Sequence, residues 1–345
     1  MRAAVLTGKG LIETLNREPK ELGPTDIRIR IRAGGICGSD LHYFHHYRMG
    51  DFPVREPFVL GHEAAGIVEA LGSGVTDFEI GDLVTINPSH PCHECYYCLT
   101  GRELLCAQMR FLGSSRKFPH IQGVFSEIFE TDQSQCFKLP REISLNVAAF
   151  AEPLAVALHA ISHAGSMIGG DVLISGSGPI GCLILIATKL AGANSVTMTD
   201  IKTAPLHMAE QLGANQVIDV SKNTTRLYKD SAAKGSFDIA FDASGSEKAV
   251  LAAIKNLRPG GTFIQVGTFI EPNISIPTDQ IMVKELIFRS SFRFDKEFAW
   301  AVNYLAKGRV DVEPLLSHTF PMEDANEAFR VASDRNKSMK VHLIF

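Results

Sequence analysis

Cys37, His62 and Glu63 bring a soft thiolate, an imidazole and a carboxylate into one short stretch of the chain. That mixed sulfur, nitrogen and oxygen set suits zinc with a coordination position left open for substrate. Four further cysteines, Cys92, Cys95, Cys98 and Cys106, are spaced with two, two and seven intervening residues. Thiolates at that spacing close a tetrahedral shell with no open position, as in a structural zinc site; a ferredoxin-type iron–sulfur ligand set is the alternative. Cys136 and Cys182 have no partner at ligand spacing and read as ordinary buried residues. A third pattern, Gly176-Ser177-Gly178-Pro179-Ile180-Gly181, follows an apolar run and opens a helical one, with Asp200 nineteen residues after Gly181. Glycines let the backbone approach a pyrophosphate, and the helix start supplies unpaired N–H groups. The acid reads the ribose hydroxyls and repels a 2′-phosphate, which favours NAD over NADP; Lys202, two residues on, offsets part of that repulsion.

These groups need a frame. Residues 26–31, Asp-Ile-Arg-Ile-Arg-Ile, alternate apolar and charged side chains, as a half-buried strand does, and similar segments separated by Gly and Pro recur to about residue 140. This part reads as a mostly β, barrel-like domain over 1–150. From there short apolar strands alternate with helical runs, at 172–175, 179–190, 195–199, 204–212, 216–220, 237–242 and 262–266. That rhythm predicts an α/β fold with a doubly wound parallel sheet over 151–290. Helical runs at 296–306 and 322–332 lead to a final strand at 340–345.

The 345 residues suit two domains, and a net charge of -4 with 21% charged residues gives no reason to expect nucleic acid or an anionic membrane as partner. The first residues lack the apolar core of a signal peptide, and no run is long enough to span a bilayer, so a cytoplasmic enzyme is the expectation. Seven cysteines, an odd number with four crowded together, fit metal ligation better than a disulfide framework.

The run Gly61-His62-Glu63, with Gly66, Gly72 and Val75 following, resembles the zinc-containing alcohol dehydrogenases of the medium-chain dehydrogenase/reductase superfamily. Gly34 to Tyr43, Asn87-Pro88-Ser89, Met109-Arg110-Phe111, Phe150 to Val156 and Ser291 to Phe294 carry the likeness to its sorbitol dehydrogenase-like branch, including members that act on sugar acids. The resemblance implies a Rossmann cofactor domain beside a GroES-like catalytic domain onto which residues 291–345 fold back. It also implies two Zn²⁺ per chain, one catalytic and one structural, and reversible oxidation of a secondary alcohol. Ser39 and His42 match the family's proton-relay positions. Glu152 matches a glutamate at the zinc, reaching it through water or by exchange, and is equally suited to the start of a helix. Val266, Gly267 and Arg293 fall at cofactor positions, and Tyr43 and Arg293 at substrate positions. Arg110 has two readings: a partner for a sugar-acid carboxylate, or a solvated charge offsetting the four thiolates. Pro205 replaces an arginine that branch members carry near the adenine, and His93 replaces a glycine after the first cysteine of the lobe. Alternatives are a neutral-polyol dehydrogenase and a non-catalytic NADP-binding member, and the branch implies a homotetramer or dimer, with residues 274–292 as a β-rich run for an interface.

Overall fold

The computed structural model describes residues 1–222, 235–269 and 273–345. The chain divides into two compact units, Met1–Glu152 with Phe298–Asp334 and Lys340–Phe345, and Pro153–Glu297 with Arg335–Met339.

The first unit is built on a seven-stranded, mainly antiparallel sheet, in which Asp26–Gly35 lies between Glu63–Leu71 and Lys340–Ile344 and also pairs with Ile128–Asp132. Ile27, Ile29 and Ile31 are fully buried on one face of this strand. The intervening arginines point outward and meet acids on neighbouring strands, Arg28 with Glu130 at 3.0 Å and Arg30 with Glu69 at 2.5 Å. The alternation in the sequence therefore sets both the core face and the register, since a one-residue slip would bury the arginines. Phe58, Phe125 and Phe329 fill the core behind the sheet.

The second unit carries a six-stranded parallel sheet in the order Gln216–Asp219, Ser195–Asp200, Asp171–Ser175, Phe237–Asp242, Leu257–Gln265, Ile287–Ser290. Counted along the chain this is 3-2-1-4-5-6, the doubly wound dinucleotide-binding order. Val172, Leu173 and Ile174 are at most 1% exposed, as expected of a strand covered on both faces. The β-rich run expected at 274–292 is corrected. Thr278–Val283 is a helix, entered through Pro277 with Asp279 in its first turn, and only Ile287–Ser290 is a strand. Proline before an acidic first turn is a helix-start signal that outweighs the apolar composition around it.

Candidate active site

Cys37 lies where the Asp26–Gly35 strand gives way to the helix Gly38–His46. Asp40, in the first turn of that helix and fully buried, accepts from the Cys37 N–H at 2.9 Å and from the Gly61 N–H at 3.2 Å. One carboxylate thus ties together the two loops that carry the donors. Gly61 has φ +92°, and a Cβ there would strike the Phe125 ring, so only glycine turns the chain into His62. Glu63 then opens its strand directly opposite Gly35 in the ladder. A Cβ on Gly35 would strike the Glu63 carboxylate and lie 3.1 Å from Lys340 Cε. The missing side chain is the space into which that acid folds.

The donor atoms of Cys37, His62 and Glu63 lie within 4.8 Å of one another. His62 Nε2 is 3.5 Å from Ser39 Oγ, its Nδ1 is 3.7 Å from Asp40, and the Phe111 ring packs beside it at 5.4 Å. Lys340 Nζ donates to Glu63 Oε1 at 2.6 Å, with both side chains buried. Burial works against the lysine's charge, but Glu63, Cys37 and Glu152 outweigh it and raise its pKa. Burial, reinforced by Glu63, pushes the Cys37 thiol up to about 11. Burial likewise pushes Glu152 up to about 8, with Glu63 and Cys37 adding and His62 and Lys340 opposing. Burial disfavours the charged forms of Cys37 and Glu152, a cost that a divalent cation among a thiolate, an imidazole and a carboxylate would offset, so the donor set fits zinc. Glu152, 5% exposed in the first turn of the helix Ala151–Ala164, feels this cluster electrostatically but is not one of its three grouped donors.

His42 is half-buried on the Gly38–His46 helix, its pKa lowered by burial and then by the nearby His46, Arg48 and His45. Tyr43, expected near the substrate, lies on the inner face of the same helix. Its side chain is in the core, edge-on to Phe58, and its hydroxyl already receives the Ser115 N–H at 3.0 Å. Arg110 is exposed and shares the two-residue strand Arg110–Phe111, opposite His90, with the phenylalanine that packs on His62. Neighbours on a strand face opposite ways, so Arg110 points away from His62.

In the cysteine lobe the sulfur pairs Cys92–Cys106 and Cys95–Cys98 are 3.5 and 3.6 Å apart, and Cys92–Cys98 and Cys95–Cys106 are both 4.0 Å. Four sulfurs at about 2.3 Å from one zinc would stand about 3.8 Å apart, so this lobe also fits the metal. His93 adopts φ +59° and pairs with Glu103 at 3.0 Å, taking the left-handed turn that glycine would make more easily. Cys136 and Cys182 are buried, and burial lifts both thiols to about 12.

In the second unit Gly176 follows the Asp171–Ser175 strand with φ +94°, Gly178 precedes the helix Pro179–Leu190, and a Cβ on Gly181 would strike the Gly176 carbonyl. Asp200 Oδ2 accepts from the Ser177 N–H at 2.8 Å; Oδ1 accepts from the N–H groups of Ile201 and Lys202 at 2.7 and 3.0 Å. Val266 and Gly267 follow the Leu257–Gln265 strand, their N–H groups bonded to the Asp242 carbonyl. Arg293 has φ +53° and stacks over Phe292. Pro205 is buried in the helix Thr203–Gln211. Three residues that work in these sites were not picked out from sequence. Asp40 was visible only as part of the cysteine motif. Lys340 and Arg335, which binds Asp200 at 3.0 Å, are distant in sequence from their partners and carried no local signal.

A doubly wound nucleotide unit, a buried S/N/O metal cluster and a four-cysteine lobe together define a zinc-dependent NAD(P)-linked dehydrogenase. Residues 23–141 match the alcohol dehydrogenase GroES-like domain and residues 179–307 the zinc-binding dehydrogenase domain. The chain is 40% identical to L-idonate 5-dehydrogenase (NAD(P)(+)) of Escherichia coli K12, over 92% of its own length and 91% of that protein. It is 36% identical to sorbitol dehydrogenase of Gallus gallus, over 99% and 95%. The crystal structure of Escherichia coli L-idonate 5-dehydrogenase superposes with a TM-score of 0.94 at 37% identity, covering 100% of this chain and 98% of that one. A Sinorhizobium meliloti 1021 zinc-binding dehydrogenase structure that holds NADP gives 0.91 at 29% identity, covering 100% and 99%. The chain belongs to the zinc-containing alcohol dehydrogenase family.

Proposed function

We propose that this enzyme interconverts a secondary alcohol and a ketone on a sugar acid, L-idonate and 5-keto-D-gluconate, with NAD or NADP. The observation that carries the chemistry is the buried Cys37, His62 and Glu63 cluster with Lys340 behind it. When bound, zinc would supply Lewis acidity toward a substrate hydroxyl and the nicotinamide cofactor an acceptor for hydride. Cys37, His62 and Glu63 would hold the catalytic metal, and Cys92, Cys95, Cys98 and Cys106 the structural one. Asp40 fixes the loops that bear Cys37 and His62, and Lys340 holds Glu63 in place. Ser39 Oγ accepts the substrate hydroxyl proton as it gives up its own to His42, which is kept neutral by its lowered pKa and carries the proton outward. Glu152 would reach the metal through water or by exchange. Asp200, Val266, Gly267 and the glycine loop bind the dinucleotide, and Arg293 borders the substrate. The enzyme assembles as a dimer or tetramer through the edge strand Ile287–Ser290, where Ile287 and Phe288 are 45% and 40% exposed.

The similarity to the Escherichia coli enzyme supports the sugar acid. The outward direction of Arg110 favours a second reading, a neutral polyol. Absorbance of NADH with L-idonate and 5-keto-D-gluconate, against sorbitol and xylitol, separates them. A tenfold higher kcat/KM for the sugar-acid pair, about 1.4 kcal/mol in the transition state, upholds the first; a preference for neutral polyols replaces it with the second.

A further inference from the structure

Asp200 has little left to offer a ribose. Its Oδ1 receives two backbone N–H groups and its Oδ2 receives the Ser177 N–H and Arg335 Nη2, so both oxygens already have two donors. Arg335 comes from the segment Arg335–Met339, which belongs to the second unit although both flanking segments belong to the first. Its side chain is 48% exposed while that of Asp200 is 3% exposed, so the guanidinium presents charge outward from a buried acid. Its Nη2 would also lie 3.3 Å from a Cβ on Gly178, which places it against the glycine loop. Beside Asp200, the helix Thr203–Gln211 begins at Lys202 with no side-chain cap and no acid in its first turn. A lysine at a helix start and an exposed arginine around a charge-paired aspartate make a cationic site at the end of the second strand of the doubly wound sheet, where that fold binds the adenosine ribose.

We propose that Arg335 is a dinucleotide-specificity residue: it cancels the charge of Asp200 and, with Lys202 and the start of the Thr203–Gln211 helix, receives the 2′-phosphate of NADP. The inference rests on the dehydrogenase reading and adds to it the means by which one site takes both cofactors. With NAD, Arg335 leaves Oδ2 and the ribose hydroxyls take its place; with NADP it stays and meets the phosphate.

The test is equilibrium binding by calorimetry to the zinc-loaded wild-type, Arg335→Gln and Arg335→Lys proteins. The probes are NAD, NADP, 5′-AMP and adenosine 2′,5′-bisphosphate; the last two carry neither pyrophosphate nor nicotinamide. Arg335→Gln is expected to raise Kd for NADP and the bisphosphate at least tenfold and to change Kd for NAD and 5′-AMP less than threefold, with Arg335→Lys retaining 2′-phosphate binding. Equal weakening of all four ligands, or no weakening of any, overturns the inference and leaves the dehydrogenase reading intact. Failure of the wild-type protein to bind either dinucleotide overturns both.

Discussion

Replacing Lys340 with methionine keeps most of the side chain's length and removes its charge. Lys340 Nζ is 2.6 Å from Glu63 Oε1, and the two side chains are 4% and 0% exposed. Taking one partner from a buried pair leaves the other charge uncompensated, a loss of about 3–5 kcal/mol. That is the expected destabilisation of the metal-free protein relative to metal-free wild type. With zinc bound, the cation supplies the counter-charge for Glu63, so the loss is expected to fall to less than half. By linkage, zinc then stabilises the variant more than it stabilises wild type. Urea unfolding of both proteins, in chelator and in excess zinc, gives the four free energies. Equal losses with and without metal would refute the argument, because they would mean that Lys340 acts through packing alone.

Three further outcomes follow. Cys106→Ser is expected to lower bound zinc from two per chain to one, measured by atomic absorption, while Cys37→Ser removes the other; loss of both metals from Cys106→Ser would contradict separate sites. Arg110→Ala is expected to leave KM for L-idonate within about twofold, since the side chain points away from His62; a tenfold rise would restore its role at the carboxylate. Burial, aided by the charge of Lys340, holds His342 down at about 3, so the folded state takes up its proton only well below the pH at which the unfolded chain does. Stability is therefore full above the unfolded value near 6.5 and is lost as pH falls toward the folded one, by about 1.4 kcal/mol per unit. Comparing unfolding at pH 7 and pH 5, His342→Leu should lose roughly 2 kcal/mol less than wild type; identical losses would remove His342 as a source.

What was legible in the sequence was local. The cysteine lobe closes within 14 positions, and the glycine fingerprint is a single turn between a strand and a helix. The Ile–Arg alternation likewise declared both faces of its strand. Lys340 was not legible, because a lysine in a short terminal strand reads as a solvated end. Only the sheet order, which seats that strand against Asp26–Gly35, turns it inward to Glu63. Arg335 lies 135 positions from Asp200 and was invisible for the same reason, so the cation beside the acid was sought at Lys202. The partner of Tyr43 was likewise hidden, because Ser115, whose N–H its hydroxyl accepts, lies 72 positions on.

Separation along the chain is also a timetable. The four cysteines span 14 positions, so the lobe has all its ligands once residue 106 has been made, before the nucleotide unit exists. Glu63 meets Lys340 across 277 positions, so the catalytic cluster gains its buried counter-charge only when the last strand arrives. Chains are made from the N-terminus, and their domains generally fold in that order. A chain interrupted before residue 340 therefore carries zinc in its lobe while Glu63 lacks its lysine. Zinc in the lobe alone would therefore not mark a chain as mature enzyme, and an activity per bound zinc measured on a mixed preparation would understate the turnover of the complete molecule.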